Sequence, residues 1–254
     1  MALSELHDRL RFVLVRTSHS GNIGSAARAI RTMGFDRLTL VAPHRFPDPE
    51  ATALAAGADD VLGQAAIHDD LVSGLAGTTF ALGLSARRRG VNLPELDPRE
   101  GAAQAIAAAR RGEQVALVFG NERTGLENDE LSRCHAMVRI PSVDDFSSLN
   151  LSQAVQVVAY ELRIALLGDE AKPAVVEADP DEVPADAEQL ERFFTHLGET
   201  LDDIEFHKGR SPTTIMLKLR KLFLRARPEV RELRILHGIF ADAQRMAGLA
   251  KKRE

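Results

Sequence analysis

RFVLVRTSHSGNIGSAARAIRTMG, residues 11–34, has the pattern of one complete strand–loop–helix unit. Residues 11–17 are short, mostly apolar and rich in β-branched side chains, which predicts a buried strand. Residues 18–22 are turn and helix-capping types, and residues 23–33 repeat apolar side chains at helical spacing until Gly34 ends the helix. A buried strand that leads directly into a helix is the building unit of an α/β fold.

The same alternation of strand and helix continues as far as residue 168. The strands lack an inside–outside pattern, and this predicts a mostly parallel sheet covered by helices on both faces. In such folds, ligands bind in the loops beyond the carboxyl ends of the strands. The sequence predicts further strands at residues 38–42, 79–84, 115–119 and 135–140, and helices at 51–58, 69–76, 102–111, 129–134 and 149–167.

The composition changes abruptly after Gly168. Residues 169–185 are rich in Asp, Glu, Pro and Ala, which predicts an acidic linker between a first domain at residues 1–168 and a second at 186–254. Apolar residues then return at helical spacing, with Pro212 and Pro228 where first-turn prolines belong. The second domain is therefore predicted to be a small bundle of three helices.

The charges are distributed unevenly along the chain of 254 residues. The formal net charge is −5 overall, but it is −11 over residues 169–206 and +9 over residues 207–254. Lys218, Lys221 and Arg225 fall on one helical face, with Arg220 and Arg227 nearby, and such a stripe suits a phosphate backbone. The alternative interpretation is a solvated helical tail.

The remaining composition favours a cytoplasmic protein. A single cysteine, Cys134, excludes an internal disulfide framework and fits a reducing compartment. The first 17 residues have neither a signal-peptide pattern nor an apolar run long enough for a membrane span. We expect no membrane association.

The first candidate loop runs from Asn22 to Arg28 and opens the helix after the first strand. Backbone N–H groups at a helix start suit an anion such as an RNA phosphate, and Arg28 could reach the same anion. The alternative is an Asn cap with a surface arginine.

The second candidate loop, GNERTGL at residues 120–126, directly follows the apolar strand VALVF. Its two glycines allow the backbone to approach a ligand closely, and Glu122 and Arg123 place opposite charges at the end of the sheet. Its spacing matches neither a P-loop nor a dinucleotide-binding fingerprint. The alternative is an ordinary turn with a surface ion pair.

The third candidate loop begins at Ile140-Pro141 and ends at FSSLNLS, residues 146–152. Ser147 or Ser148 is predicted to cap the long helix, and Asn150 adds a side chain that both donates and accepts hydrogen bonds. The alternative is that these serines only cap the helix and have no functional role.

Other chemistries find little support in the sequence. Cys134 and His135 are adjacent, and adjacent residues on regular elements point apart, so a Cys–His nucleophile pair is not expected. His, Cys, Asp and Glu show no zinc-like spacing, and we expect no metal.

The three loops, in this order and at these spacings, resemble the three motifs of the SpoU (TrmH) branch of the SPOUT RNA methyltransferases. The likeness covers residues 11 to about 168, and its ordered set is far more specific than any single motif. The matching positions are Asn22, Gly24 and Arg28 in the first motif, Phe119, Gly120, Glu122, Gly125 and Leu126 in the second, and Ile140, Pro141, Ser148, Leu149, Asn150, Ser152, Ala154, Tyr160 and Glu161 in the third.

This resemblance implies a trefoil-knotted α/β fold, a homodimer and S-adenosylmethionine as the methyl donor. It implies that Arg28 is the essential catalytic residue, assisted by Asn22, Glu122, Ser148 and Asn150. The donor would lie against Leu84, Ser85, Ala86, Gly120, Ile140, Ser147, Ser148 and Leu149. RNA would be contacted by Arg28, Arg87, Lys218, Lys221, Arg225 and Arg227.

Additional stretches are similar to one subfamily, the enzymes that methylate cytidine or uridine at nucleotide 32 of the tRNA anticodon loop. These stretches are residues 15–28, 53–61, 85–87, 96–100, 154–161 and 218–229. The resemblance implies 2′-O-ribose methylation of tRNA. The alternatives are methylation of rRNA or of another tRNA position, a non-catalytic RNA-binding protein on the same scaffold, and a structural α/β protein with a charged tail.

Overall fold

A computed structural model describes residues 3–87, 90–143, 148–168 and 183–251 of the chain. The chain divides into two compact units, Met1–Glu177 and Ala178–Glu254, and each is considered by itself. Most of the predicted acidic linker, residues 169–182, lies outside the described residues.

The first unit is built on a seven-stranded sheet in which every strand pair is parallel, as predicted. The strand order is β3-β2-β1-β6-β4-β7-β5. All five predicted strands are present, whereas β3 and β5 were missed because segments of three and two residues are too short to show a periodic pattern. The strands are β1 Leu10–Val15, β2 Leu38–Val41, β3 Ala66–His68, β4 Phe80–Leu84, β5 Glu95–Leu96, β6 Val115–Phe119 and β7 Ala136–Val138.

Eight helices accompany the sheet within the described part of the first unit. The helix predicted at residues 51–58 is present but ends at Ala55, because Ala56 and Gly57 have φ angles of 45° and 96°. The short helix that follows, α4, was not predicted. The helices are α1 Leu3–His7, α2 Ser20–Thr32, α3 Pro49–Ala55, α4 Asp59–Gly63, α5 Leu71–Gly74, α6 Pro98–Arg110, α7 Asn128–Leu131 and α8 Leu151–Leu167.

Helices cover both faces of the sheet, as the strand pattern predicted. Phe12 and Val13 are neighbours in β1 that point to opposite faces, and both are fully buried. A Cβ added at Gly101 of α6 would lie 2.8 Å from Val138 of β7, so α6 packs closely on one face. A Cβ added at Gly83 of β4 would lie 2.9 Å from Leu131 of α7, which therefore packs on the other face.

The central strands β1, β6 and β4 end at the same edge of the sheet. Leu14 of β1 is paired with Phe119 of β6, and Phe119 is paired with Leu84 of β4. Because parallel strands that end together direct their following loops to the same edge, the loops after β1, β4 and β6 meet there. The trefoil knot implied by the family resemblance stays a prediction.

The second unit contains the three predicted helices, α9 Ala187–Asp203, α10 Pro212–Ala226 and α11 Val230–Lys251. Its core is aromatic and aliphatic, centred on Phe193, which packs against Phe223 and Phe240 with ring centroids 4.6 and 5.5 Å apart. Residues 183–185, which the sequence assigned to the linker, pack within this unit: the Ala185 N–H donates to the carbonyl of Pro228.

In the portions of both units that are described, no helix is long and apolar enough to cross a membrane.

Candidate active site

A cavity of about 730 Å³, open to solvent, lies at the carboxyl ends of β4, β6 and β7. The second and third predicted loops form its wall together with the loop that follows β4. Its lining residues are Leu84, Ser85, Ala86, Arg87, Phe119, Gly120, Asn121, Glu122, Arg123, Thr124, Gly125, Val138, Ile140, Ser148, Leu149, Leu151 and Ala154.

Gly120 allows the loop after β6 to fold back on itself. A Cβ at this position would lie 2.1 Å from the backbone nitrogen of Leu126 and 2.2 Å from the carbonyl carbon of Gly125, distances that no side chain can occupy. Gly125 has a φ of 67°, a conformation that glycine adopts without steric cost. Both glycines of the second motif are therefore needed to shape the cavity wall.

Glu122 connects the first and second loops. One carboxylate oxygen, Oε2, accepts hydrogen bonds from the backbone N–H and the hydroxyl of Ser18, at 2.9 and 2.7 Å. The other, Oε1, accepts from the His19 N–H at 3.3 Å and from Nδ2 of Asn22 at 2.9 Å. The start of α2 was predicted to suit an external anion such as a phosphate. The backbone N–H groups of Ser18 and His19, directly before α2, are bonded to the carboxylate of Glu122.

The hydrogen bonds that Glu122 accepts lower its pKa by more than its partial burial raises it. Partial burial alone would raise the pKa of this carboxyl, but the bonds from Asn22 and Ser18 lower it from its ordinary value of 4.5 to about 2. Glu122 is therefore an anion at neutral pH, and so acidic a carboxyl is too weak a base to accept a proton from a hydroxyl group. Its chemistry is that of a fixed charge that orients its neighbours.

Asn150 joins the third loop to the first two. Its Nδ2 donates to Oδ1 of Asn22 at 3.0 Å, and its own Oδ1 accepts from the N–H and hydroxyl of Ser152, at 2.9 and 2.7 Å. Asn150 is thus the N-cap of α8, whereas the sequence analysis had assigned the cap to a preceding serine. A continuous chain of hydrogen bonds runs from Ser18 through Glu122 and Asn22 to Asn150.

The loop after β4 is fixed by Ser85. Its backbone N–H donates to the carbonyl of Val138 at 3.1 Å, and its hydroxyl donates to the carbonyl of Arg87 at 2.9 Å. These bonds hold the edge of the cavity formed by Ser85 and Ala86.

The residues predicted to bind the donor meet in space. All of those that the structure describes line the one cavity, whereas Ser147 lies outside the described residues. They are Leu84, Ser85, Ala86, Gly120, Ile140, Ser148 and Leu149. Of the predicted catalytic residues, Glu122 and Ser148 line the cavity. Asn22 and Asn150 do not line it, but they are bonded to each other, and Asn22 is bonded to Glu122.

Comparison with known proteins agrees with this geometry. Residues 9–160 match the model of the SpoU rRNA Methylase family.

The chain belongs to the SpoU methylase family.

Further matches place this SpoU methylase among the TrmJ proteins. Residues 188–252 match the C-terminal domain of tRNA methyltransferase TrmJ. A tRNA (cytidine/uridine-2'-O-)-methyltransferase TrmJ of Klebsiella pneumoniae is 50% identical over 238 residues, covering 92% of this chain and 96% of the relative.

Solved structures agree with these matches. The crystal structure of TrmJ from Z. mobilis ZM4 superposes with a TM-score of 0.78 and 34% identity, covering 91% of this chain and 97% of that one. A structure described as "Structural insights into the 2-OH methylation of C/U34 on tRNA" has a TM-score of 0.50 and 26% identity, covering 63% and 97%.

The basic residues predicted for this SpoU methylase lie in different places. Arg87 lines the cavity. Arg28 is exposed on α2 and is not part of the cavity wall. Asn22 and Arg28 are six residues apart, a distance of about 9 Å along a helix axis. The basic residues predicted on the second unit are Lys218, Lys221 and Arg225 on α10, and Arg227, which ends that helix.

Sequence reasoning missed two residues that build the site. Ser18 holds Glu122 with two hydrogen bonds. Asn121 lines the cavity, and its Oδ1 accepts from the backbone N–H groups of Arg123 and Thr124. An Asn directly after Gly120 is a signal for such a side-chain turn and could have identified it.

The residues that the sequence analysis set aside are structural. Cys134 is fully buried, and burial raises the pKa of its thiol to about 12, so it is inert at neutral pH. Nδ1 of His135 accepts a hydrogen bond from the Ala81 N–H at 3.0 Å. Within the described ranges, no three His, Cys, Asp or Glu residues are grouped where they could hold a metal ion.

Glu122→Gln is expected to destabilise the protein by about 1–2 kcal/mol at pH 7, after allowance for partial exposure. Because the folded pKa is lowered, the stabilisation by Glu122 is fully present above pH 4.5 and is lost as the pH falls towards 2. Urea unfolding of both proteins at a series of pH values should show the difference shrinking below pH 4.5. Asp60→Asn, at an exposed surface ion pair with Arg31, is the control. An equal loss in the control, or a difference that does not depend on pH, would contradict the prediction.

Proposed function

We propose that this protein transfers a methyl group from S-adenosylmethionine to the 2′-hydroxyl of cytidine or uridine at nucleotide 32 of the tRNA anticodon loop. The observation that carries the proposal is the convergence of all three motif loops on one hydrogen-bonded site beside the cavity. The proposal is supported by membership of the SpoU family and by the relatives named as tRNA (cytidine/uridine-2'-O-)-methyltransferases.

The cavity fits a ligand with both apolar and polar parts, as S-adenosylmethionine has. Gly120 and Gly125 let the loop after β6 fold back on itself and form one wall of the cavity. Apolar side chains of Leu84, Ile140 and Leu149 offer a surface for the adenine ring, while backbone groups near Ser85 and Ser148 offer hydrogen bonds. These residues would hold the donor.

S-adenosylmethionine supplies a methyl group activated by its positively charged sulfonium. Transfer forms an oxygen–carbon bond and breaks the carbon–sulfur bond, so that the sulfur leaves as a neutral thioether, and the proton of the hydroxyl group passes to water. The protein must hold the ribose oxygen in line with the methyl carbon, about 3 Å away, because correct orientation of the reacting atoms lowers the barrier to transfer. Glu122, with its low pKa, orients Asn22 and does not remove the proton.

Arg28 is proposed to act on the RNA. Among the described residues, its guanidinium has neither an ion-pair nor a hydrogen-bond partner, and it lies on the exposed side of α2, outside the cavity wall. A guanidinium keeps its proton at neutral pH and is therefore a poor general base. It is suited to binding the phosphate beside the target ribose and to activating the hydroxyl electrostatically.

The second unit is proposed to bind tRNA through phosphate contacts made by Lys218, Lys221, Arg225 and Arg227. Lys218 and Arg225 are exposed on α10. Arg220 is different: its guanidinium bonds to Glu191 and stacks 4.3 Å from the ring centroid of Phe194. Arg220 was predicted to lie near the basic stripe. Its guanidinium instead stabilises the packing of α9 and α10 through these contacts.

We further propose a homodimer that works in the cytoplasm. One side of α8 leaves Tyr160, Ile164 and Leu167 each 42–50% exposed. Large apolar side chains that are exposed together on one helix mark a surface for protein association. The proposed domains are residues 1–168 for chemistry and 186–254 for tRNA binding, joined by the linker at 169–185.

The proposed activity is tested by incubating the purified protein with total tRNA and methyl-labelled S-adenosylmethionine, followed by mapping of the modified nucleoside. We expect label on the 2′-oxygen at nucleotide 32, and none on tRNA carrying a 2′-deoxynucleotide there. Label at another tRNA position, or label on rRNA in a parallel reaction together with none on tRNA, would replace the proposed substrate. Binding of RNA without any transfer would identify a non-catalytic RNA-binding protein.

A further inference from the structure

Arg16, which follows β1 and does not line the cavity, is held in a strained backbone conformation. Its φ is 53°, in the left-handed region that side chains other than glycine rarely adopt. Its N–H donates to the carbonyl of Val41 at 2.8 Å, at the end of the neighbouring β2. Such a conformation persists only when the surroundings fix it, and it is common near functional sites.

The backbone carbonyl of Arg16 is bonded to the beginning of the cavity loop. It accepts a hydrogen bond of 2.6 Å from Nδ2 of Asn121. The other end of the same amide, Oδ1, accepts from the N–H groups of Arg123 and Thr124. The Asn121 side chain therefore fixes the turn of the loop and attaches that turn to Arg16.

The guanidinium of Arg16 is bonded to the other end of the same loop. Nη1 donates to Glu127 at 2.6 Å and Nη2 to Glu130 at 2.9 Å, where α7 begins. The Glu130 side chain is only 10% exposed, and its carboxylate also accepts from the Glu127 N–H at 2.6 Å. A carboxylate with so little exposure depends on its cationic partner, so loss of the guanidinium should shift this segment.

We propose that Arg16 is a positioning residue that clamps both ends of the loop 120–127 and thereby sets the affinity of the cavity for the methyl donor. The two contacts enclose the glycines that shape the cavity wall, Gly120 and Gly125. Arg16 also directly precedes the segment Thr17–Ser18, whose last residue binds Glu122. The inference rests on the proposed function, because it takes S-adenosylmethionine as the ligand of the cavity.

The test is calorimetric titration of the full chain with S-adenosylmethionine. Arg16→Ala is expected to weaken donor binding about tenfold, and Arg16→Lys, which can keep one of the two carboxylate contacts, about threefold. The kcat at saturating donor should stay within about twofold of wild type, so that the effect appears in KM. Glu127→Gln, which leaves Glu130 paired, should weaken binding about threefold and gives a second measure if Arg16→Ala does not fold.

The control is Arg31→Ala, which removes an arginine from a surface ion pair with Asp60, 3.0 Å long, on the exposed side of α2. It should leave donor affinity unchanged. The clamp is rejected if the Arg16 and Glu127 variants bind the donor as wild type does, or if Arg31→Ala loses as much affinity. Failure of the wild-type protein to bind S-adenosylmethionine would reject the proposed function instead.

Discussion

Arg28→Ala is expected to lower the rate of methyl transfer to tRNA by at least about 10²-fold, the usual loss when one preorganised charged donor is removed from a reacting centre. Binding of S-adenosylmethionine should remain nearly unchanged, because Arg28 does not line the cavity. The two effects are measured by single-turnover transfer of labelled methyl groups and by calorimetry. Single-turnover conditions separate the chemical step from substrate binding and product release.

The control for this variant lies on the same helix. Arg31→Ala removes an exposed arginine one turn further along α2, where the guanidinium is paired with Asp60. It should transfer methyl groups at nearly the wild-type rate. Arg28→Lys keeps the charge but loses the planar two-point contact to phosphate, and we expect an intermediate rate. Turnover near the wild-type rate in Arg28→Ala would exclude the proposed role.

Replacing Lys218, Lys221 and Arg225 together by alanine is expected to weaken tRNA binding about 10²-fold near physiological salt, because each is proposed to neutralise a phosphate. The salt dependence should also become shallower, by about one unit of log–log slope for each phosphate that is no longer neutralised. Affinity for S-adenosylmethionine should not change. The measurement is fluorescence titration of labelled tRNA at several salt concentrations.

A matched triple variant separates specific contacts from a general loss of charge. Arg31, Arg45 and Arg192 are exposed, and each is paired with a carboxylate, namely Asp60, Asp48 and Glu188. Replacing these three arginines by alanine changes the net charge as much as the first triple variant does. Because each is already paired with a carboxylate, the loss of tRNA affinity should be smaller. Similar losses in both triple variants would mean that α10 has no special role.

Periodicity and composition were sufficient for most of the secondary structure. The apolar strands β1, β2, β4, β6 and β7 were predicted because a strand buried on both faces is continuously apolar. The edge strands β3 and β5 were missed because they are short, and the exposed residues of β3 give no pattern. The end of α3 was predicted three residues too late because Ala56, an unusual residue for a positive φ, helps to end this helix. The helix α4 was not predicted because its five residues are too few to show a periodic pattern.

The motif loops were found from their order and spacing, but their connections were not. Capping residues and glycines are local signals, and they singled out Gly120, Glu122 and Asn150, which the structure brings to the same edge of the sheet. Nothing in the sequence indicated that the carboxylate of Glu122 is bonded to the residues directly before α2. That carboxylate belongs to a residue about 100 positions away, so local patterns could not reveal it.

What the sequence alone determined is therefore most of the elements, their parallel arrangement, the three-helix second unit and the position of the three motif loops along the chain. These follow from side-chain spacing and turn chemistry, which act between near neighbours in the chain. Only the tertiary structure decided that Glu122 is held by Ser18 and Asn22, that Arg16 clamps the cavity loop, and that Arg220 is bonded to Glu191. The reason is that charged and polar side chains choose partners by distance in space, and strand order and helix packing bring those partners together.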